Sequence, residues 1–265
     1  MSLSPAGLFS KTSTSAADGR RSSSAGALAF PTTPETWIES GNRQLDLVDA
    51  EDSMELSADP SDRTNFVYGY ILVEPDGAGN SQMIHYGGDS GAEDIYRKGT
   101  LYLYNNTLVS TRSGNTTRLR LSTQEESCDC RNNIVDTTAP GSFLALLNEA
   151  GRLQLTHNWL TSGWVASHSG LTGTIVDGGG NFAGDHPGFQ DEAAQDYRLL
   201  TQSGCVDAGG PLPAGVPPEI QQYVKHPLSN MRPVDAAMDI GTYEAAGGLR
   251  PQRGVSSAVW LLFKD

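Results

Sequence analysis

The stretch His85-Tyr-Gly-Gly-Asp89-Ser-Gly-Ala-Glu93-Asp94-Ile-Tyr-Arg97-Lys98 gathers side chains suited to chemistry more densely than any other part of the chain. Asp89, Glu93 and Asp94 could hold a hard cation such as Ca²⁺, which takes about six to eight oxygen ligands and can bridge to a substrate carboxylate. Arg97 and Lys98 are the adjacent basic pair beside those carboxylates, and His85 stands at the start as a further catalytic candidate. The same residues would also suit a solvated loop whose charges pair with one another. Asp46, Asp49, Glu51 and Asp52 form a second acidic group. Two carboxylates held about 5–10 Å apart could work as acid and nucleophile or base on a glycosidic bond. Alternation places Leu45 and Leu47 on one face and Asp46 on the other, which equally describes an exposed strand flank.

Tyr102 and Tyr104 alternate with Leu101 and Leu103, so if the leucines face inward the tyrosines form an outward pair that could stack on sugar rings. Trp159 is expected in the core. His157, His168, His186 and His226 lack a ligand partner at i+2 or i+4 and do not form a zinc set. Cys128 and Cys130 sit two apart and read as core filling on one strand face, since free cysteine behaves as a small apolar side chain.

These residues need elements to position them. The chain has 265 residues, with 30 Gly and 14 Pro, which argues for many turns and against a helical bundle. Its net charge of -13 lacks the basic footprint that phosphate backbones require, so no nucleic-acid partner is expected. No apolar run approaches the roughly 20 residues that span a bilayer. Residues 1–35 are rich in Ser, Thr, Ala and Gly and are expected to be disordered, without an apolar stretch long enough for a signal peptide. Residues 36–245 are expected to form the body, and 246–265 a tail.

Within the body, an internal repeat appears on asparagine: Leu101-Tyr-Leu-Tyr-Asn-Asn-Thr-Leu108, Cys128-Asp-Cys-Arg-Asn-Asn-Ile-Val135 and Leu153-Gln-Leu-Thr-His-Asn-Trp-Leu160. Asn106, Asn133 and Asn158 are spaced by 27 and 25, Asn181 follows 23 further on, and Tyr70 occupies the position 36 before Asn106. A second set, Gln82–Tyr86, Arg118–Leu121 and Phe143–Leu146, keeps step through one insertion, roughly Pro75 to Gly99. A period near 25 with two or three strands is shorter than a propeller blade and lacks the helix of a leucine-rich unit. It fits an all-β parallel β-helix, in which equivalent residues stack in ladders about 4.8 Å apart. The expectation is an Asn106–Asn133–Asn158 ladder beside a stack of Leu103, Cys130 and Leu155.

With these repeats, the closing string Pro187-Gly-Phe189, Asp196-Tyr-Arg-Leu199, Ser203-Gly-Cys-Val-Asp-Ala-Gly209 and Asp239-Ile-Gly-Thr-Tyr-Glu244 resembles right-handed parallel β-helix proteins of the pectate-lyase-like group, specifically bacterial polysaccharide-degrading ones. The resemblance covers roughly residues 37–244. It implies a secreted, periplasmic or surface protein acting on a polysaccharide, and an N-terminal truncation, because such proteins begin with further coils and a capping helix. It also implies β-elimination on an acidic glycan, with Lys98 or Arg97 as base or enolate stabiliser and Ca²⁺ at Asp89, Glu93 and Asp94. Glycoside hydrolysis, non-catalytic carbohydrate binding or surface attachment, and an inactive fragment are the alternatives.

Overall fold

The computed structural model describes residues 27–28, 45–47, 63–78, 80–88, 98–216, 221–224, 228–233, 237–245 and 261–262. The protein is predominantly β, and its short apolar alternations become strands that pair in parallel with their counterparts one repeat away. The first sheet runs, in spatial order, Ala27–Leu28, Thr64–Tyr68, Gly99–Tyr104, Glu126–Arg131, Arg152–Thr156 and Thr174–Asp177. The second runs Leu261–Leu262, Ile71–Glu74, Thr107–Ser110, Ile134–Thr137, Trp159–Thr161 and Phe182–Gly184. The third runs Leu45–Leu47, Gln82–Tyr86, Thr116–Leu121 and Leu144–Glu149. From Thr64 to Glu149 the chain visits the first, second and third sheets in turn and then returns to the first; after Thr161 an isolated bridge of Val165 to Ala145 stands at the third sheet's place. Ala27–Leu28 and Leu261–Leu262 lie in the end segments expected to stand apart, yet each pairs with an edge of a sheet.

The interior is made by registered rows of apolar side chains. Leu101, Cys128 and Leu153 form one row, and Leu103, Cys130 and Leu155 the next, as the repeat predicts. Both cysteines are free and buried, filling the core.

Between the first and second sheets the chain turns sharply, and two consecutive residues divide the work. The first takes left-handed backbone: Asn105 and Asn132 at φ 54°, His157 at φ 52°, with Gly69 and Gly180 in the equivalent places. Asn tolerates that conformation better than most residues. The second residue builds the ladder. Asn106 Nδ2 donates to Asn133 Oδ1 at 2.9 Å, Asn133 Nδ2 to Asn158 Oδ1 at 3.0 Å, and Asn158 Nδ2 to Asn181 Oδ1 at 2.9 Å. Tyr70 stands at the near end, its backbone N–H donating to Asn106 Oδ1 at 3.0 Å. The ladder expected from the repeat is thus formed by the second residue of each pair, while the left-handed bend belongs to the residue before it.

A second apolar cluster lies on the outer face of the second sheet, where Ile71, Val73, Val109, Ile134 and Trp159 meet Phe189, Tyr197, Leu199, Cys205, Ile240 and Tyr243. Trp159 is therefore buried, against the closing segment. That segment is pinned to the corner: Gly241 N–H donates to Asn132 O at 2.8 Å, Asn132 Nδ2 donates to Gly210 O at 2.9 Å, and Thr242 Oγ1 donates to Tyr70 O at 2.7 Å. Arg232 locks the turn internally, with Nε donating to Glu244 Oε1 at 2.5 Å and its other nitrogens to the carbonyls of Asp239, Gly241 and Thr242.

One cation sits inside the main core. Arg118 is fully buried, and its Nη1 donates to Cys130 Sγ while Nε and Nη2 have no hydrogen-bond partner. The pairs Gln82↔Thr117 and Ile84↔Leu119 on one side, with Ala145↔Thr117 and Leu147↔Leu119 on the other, set it level with Met83 and Leu146.

Candidate functional site

The second sheet's outer face is covered by the closing segment, so the third sheet's outer face is the natural place to look for chemistry. Register places His85, Arg120 and Asn148 in one row across it, alternating with Ile84, Leu119 and Leu147. Asp46 shares that register position on the edge strand. Asp49, Glu51 and Asp52 lie outside the described residues. Arg120 Nε lies 3.0 Å from Glu149 Oε2, so this cation already has a counter-charge.

At one end of the row, His85 and Lys98 come to the same corner. His85 is buried, with Nε2 at 2.9 Å from Ser122 Oγ and 3.1 Å from Gly88 O. Ser122 Oγ donates its own proton to Gly88 O at 2.5 Å. A carbonyl and a hydroxyl whose proton is already engaged can only accept, so Nε2 carries the ring proton as a donor. Lys98 Nζ lies 3.8 Å from both Glu125 Oε1 and Glu126 Oε1, which makes it their counter-ion. Its backbone carbonyl accepts from Tyr86 Oη at 2.8 Å, and Tyr86 Oη accepts from Asn65 Nδ2 at 2.8 Å. The segment's far end is thus tied to the core by a buried tyrosine.

Glu126 has a fully buried side chain, and Thr123 donates to it through both its backbone N–H and, at 3.0 Å, its hydroxyl. Burial raises its carboxyl above the ordinary range, while those bonds and Lys98 pull the other way. Gly87 makes room for it: a Cβ there would come within 2.7 Å of the Glu126 carboxyl carbon, and its φ of 107° suits glycine alone. Asp89, Glu93, Asp94 and Arg97 lie outside the described residues, in the segment between Gly88 and Lys98. Among the described residues no group of three His, Cys, Asp or Glu could hold a metal ion.

Glu125 and Glu126 were not singled out from the sequence, although a signal was present. The pairing Gly99↔Glu126 has the same offset of 27 that relates Asn106 to Asn133, so the repeat itself sets Lys98 opposite Glu125.

At the other end of the third sheet an open cleft of about 380 Å³ is lined by polar side chains, among them Gln82, Arg112, Asn115, Asn148, His168 and Ser169. Arg112 comes from the turn leading into the sheet, and His168 from the loop that folds back over it. His168 Nε2 lies 3.0 Å from Thr116 O and 3.1 Å from Phe143 O. Nothing in the periodic pattern flagged either residue.

The outward tyrosine pair expected on the first sheet divides. Tyr102 is half-buried and stacks on Phe66 at 5.3 Å. Tyr104 is only 1% exposed and stacks on Tyr68 at 4.8 Å, so its ring cannot also stack on a sugar. Both sit on the outer face, as alternation predicts, but an outward direction does not ensure exposure. The next strand places Asp129 and Arg131 in the same rows, joined by an ion pair at 2.6 Å.

Comparisons with known protein families, with curated proteins and with solved structures found no match to this chain. Among the described residues, no helix is long and apolar enough to cross a membrane.

Proposed function

We propose that the stacked parallel sheets form a right-handed parallel β-helix of the pectate-lyase-like kind, and that its third sheet's outer face engages a polysaccharide outside the cytoplasm. The observation that carries this reading is the polar cleft of about 380 Å³ on that face. A rigid sheet lined by amides, hydroxyls, an imidazole and a guanidinium suits hydroxyl-rich ligands, and glycans long enough to cross several strands would reach the His85–Lys98 corner. Lyase chemistry on an acidic glycan would draw on Lys98, Arg97 and His85, with Asp89, Glu93 and Asp94 holding Ca²⁺. Tyr102 would offer a secondary stacking face.

One observation favours a non-catalytic binder as the second reading. Lys98 faces two carboxylates at 3.8 Å, which already engage it as their counter-ion. A panel of uronate-containing and neutral polysaccharides separates these readings, with unsaturated products followed by ultraviolet absorbance, reducing ends measured separately, and retention scored by affinity electrophoresis. Unsaturated ends that disappear in Lys98→Gln support the lyase. Retention without cleavage supports the binder. A blank across the panel refutes both.

A further inference from the structure

We propose that two copies of the protein join end to end about a two-fold axis, the edge strand Thr174–Asp177 of one pairing antiparallel with that of the other. The inference goes beyond the glycan reading and does not depend on it. The first and second sheets end on Thr174–Asp177 and Phe182–Gly184, each paired on one side only, and the third ends on the isolated bridge at Val165. The core runs out at the same place. Leu171 and Ile175 pack on it but are only half-buried, whereas Leu153, one repeat earlier in the row of Ile175, is fully buried. Trp164 is 40% exposed and Val165 38%, and Phe143, next to the Leu144 carbonyl that accepts from Val165 N–H, is 54% exposed. The closing segment packs on the second sheet's outer face and leaves these side chains uncovered.

The main chain there is set for an antiparallel partner. Thr174 N–H donates to Gly151 O at 2.8 Å and Gly178 N–H to Leu155 O at 2.6 Å, so the even-numbered residues bond to the sheet. Alternation turns the N–H and C=O groups of Ile175 and Asp177 to the free edge. A two-fold axis at Val176 sets Ile175 of each copy opposite Asp177 of the other, each such pair exchanging both hydrogen bonds. It also sets the two Val176 side chains, which stand on the outer face in the row of Gln154, directly opposite one another. The two Asp177 carboxylates stay apart, and each accepts from Gly179 N–H at 2.8 Å and Asn181 Nδ2 at 2.7 Å. Native edge strands are usually protected by lysine, proline or a bulge. Residues 162–184 hold no Lys, Arg, Glu or Pro, and Asp177 is their one formal charge, so on a protein of net charge -13 two copies can meet here with little repulsion. That length of chain matches the roughly 20–30 residues a side of a stable interface. The opposite end offers only the shorter strands Ala27–Leu28, Leu45–Leu47 and Leu261–Leu262, which favours pairing of like ends over head-to-tail stacking.

The test is sedimentation of the full chain between about 1 and 100 µM, with amide exchange followed at Ile175 and Asp177. The parent sediments as a dimer, and exchange at both amides slows as concentration rises. Val176→Lys sets two ammonium groups opposite each other and raises the dissociation constant at least about tenfold, whereas Val176→Thr, of nearly the same shape, stays within about threefold of the parent. The added lysine lowers the net negative charge, so loss of the dimer cannot come from overall repulsion. If Val176→Lys fails to fold by circular dichroism, Trp164→Ser, at an exposed site on the same end, takes its place with the same expected loss. A dimer unchanged in the variant tested, or assembly beyond the dimer, would overturn the proposal. A parent that stays monomeric with both amides protected would assign the edge to a segment of this chain, and a monomer with both amides exchanging freely would leave the edge to a different partner; either outcome overturns the dimer.

Discussion

Asn133 presents two donors to a single acceptor on Asn158: its backbone N–H and its Nδ2 both reach Asn158 Oδ1 at 3.0 Å. Its own Oδ1 in turn accepts from the backbone N–H of Asn106 at 3.0 Å and from Asn106 Nδ2 at 2.9 Å. The ladder therefore satisfies buried main-chain donors as well as its own amides.

Replacing Asn133 with Leu should leave the Asn106 backbone N–H without its acceptor and cost about 1–3 kcal/mol. The same change at Asn181, at the partly buried end of the ladder, should cost less. Urea denaturation of the two variants measures the difference. Equal midpoints to the parent would show that the ladder contributes nothing.

Arg118 carries a charge and two unpartnered donors into the core. Replacing a buried, incompletely satisfied cation by an apolar side chain of similar length is often stabilising, so Arg118→Met should raise stability by about 1–4 kcal/mol. A lowered denaturation midpoint would mean that the guanidinium is compensated by the thiol it faces.

Stability should fall as pH rises from 5 to 8. Burial raises Glu244 to about 7 and Asp136 to about 6, and pushes Glu74, Glu126 and Asp239 up as well. Each has a folded value above its unfolded one, about 3.9 for Asp and 4.3 for Glu, so between the two values the folded state binds more protons. The stabilisation is complete below the unfolded value and lost through the folded one. Asp76 and Asp177 shift downward, so their contribution changes only in more acidic solution. Melting curves at pH 5, 6, 7 and 8 read the slope, and Glu244→Gln should flatten it near pH 7. A midpoint that climbs with pH would contradict the assignment.

Gly241→Ala should loosen the closing segment. A Cβ there would lie 2.7 Å from Ile134 Cδ1 and 3.0 Å from Thr107 Oγ1, on a backbone at φ 99°. A cost of about 1–3 kcal/mol is expected, appearing as faster amide exchange at Gly210 and Gly241 than in the Asn106–Asn158 rows. Unchanged exchange at both glycines would argue that the segment docks without that close approach.

The amino-acid sequence by itself determined what repeats. Parallel stacking, the asparagine ladder, the Leu103–Cys130–Leu155 row and burial of both CxC thiols all follow from residues recurring every 23 to 27 positions, because each contact joins equivalent places in neighbouring repeats. The tertiary structure decided what does not repeat. Asn132 meets Gly210 across 78 residues, and Thr242 meets Tyr70 across 172, so no local period announces that the second sheet's outer face is covered. Alternation correctly turned Tyr104 outward, yet only packing showed that face to be closed there. Arg118 shows the same limit from the inside, since a charged side chain in a strand pattern reads as solvent-facing until neighbouring strands enclose it. The candidate site divides along this line: the repeat's register sets Lys98 opposite Glu125, whereas the Arg112–His168 cleft exists only because one loop folds back across the third sheet.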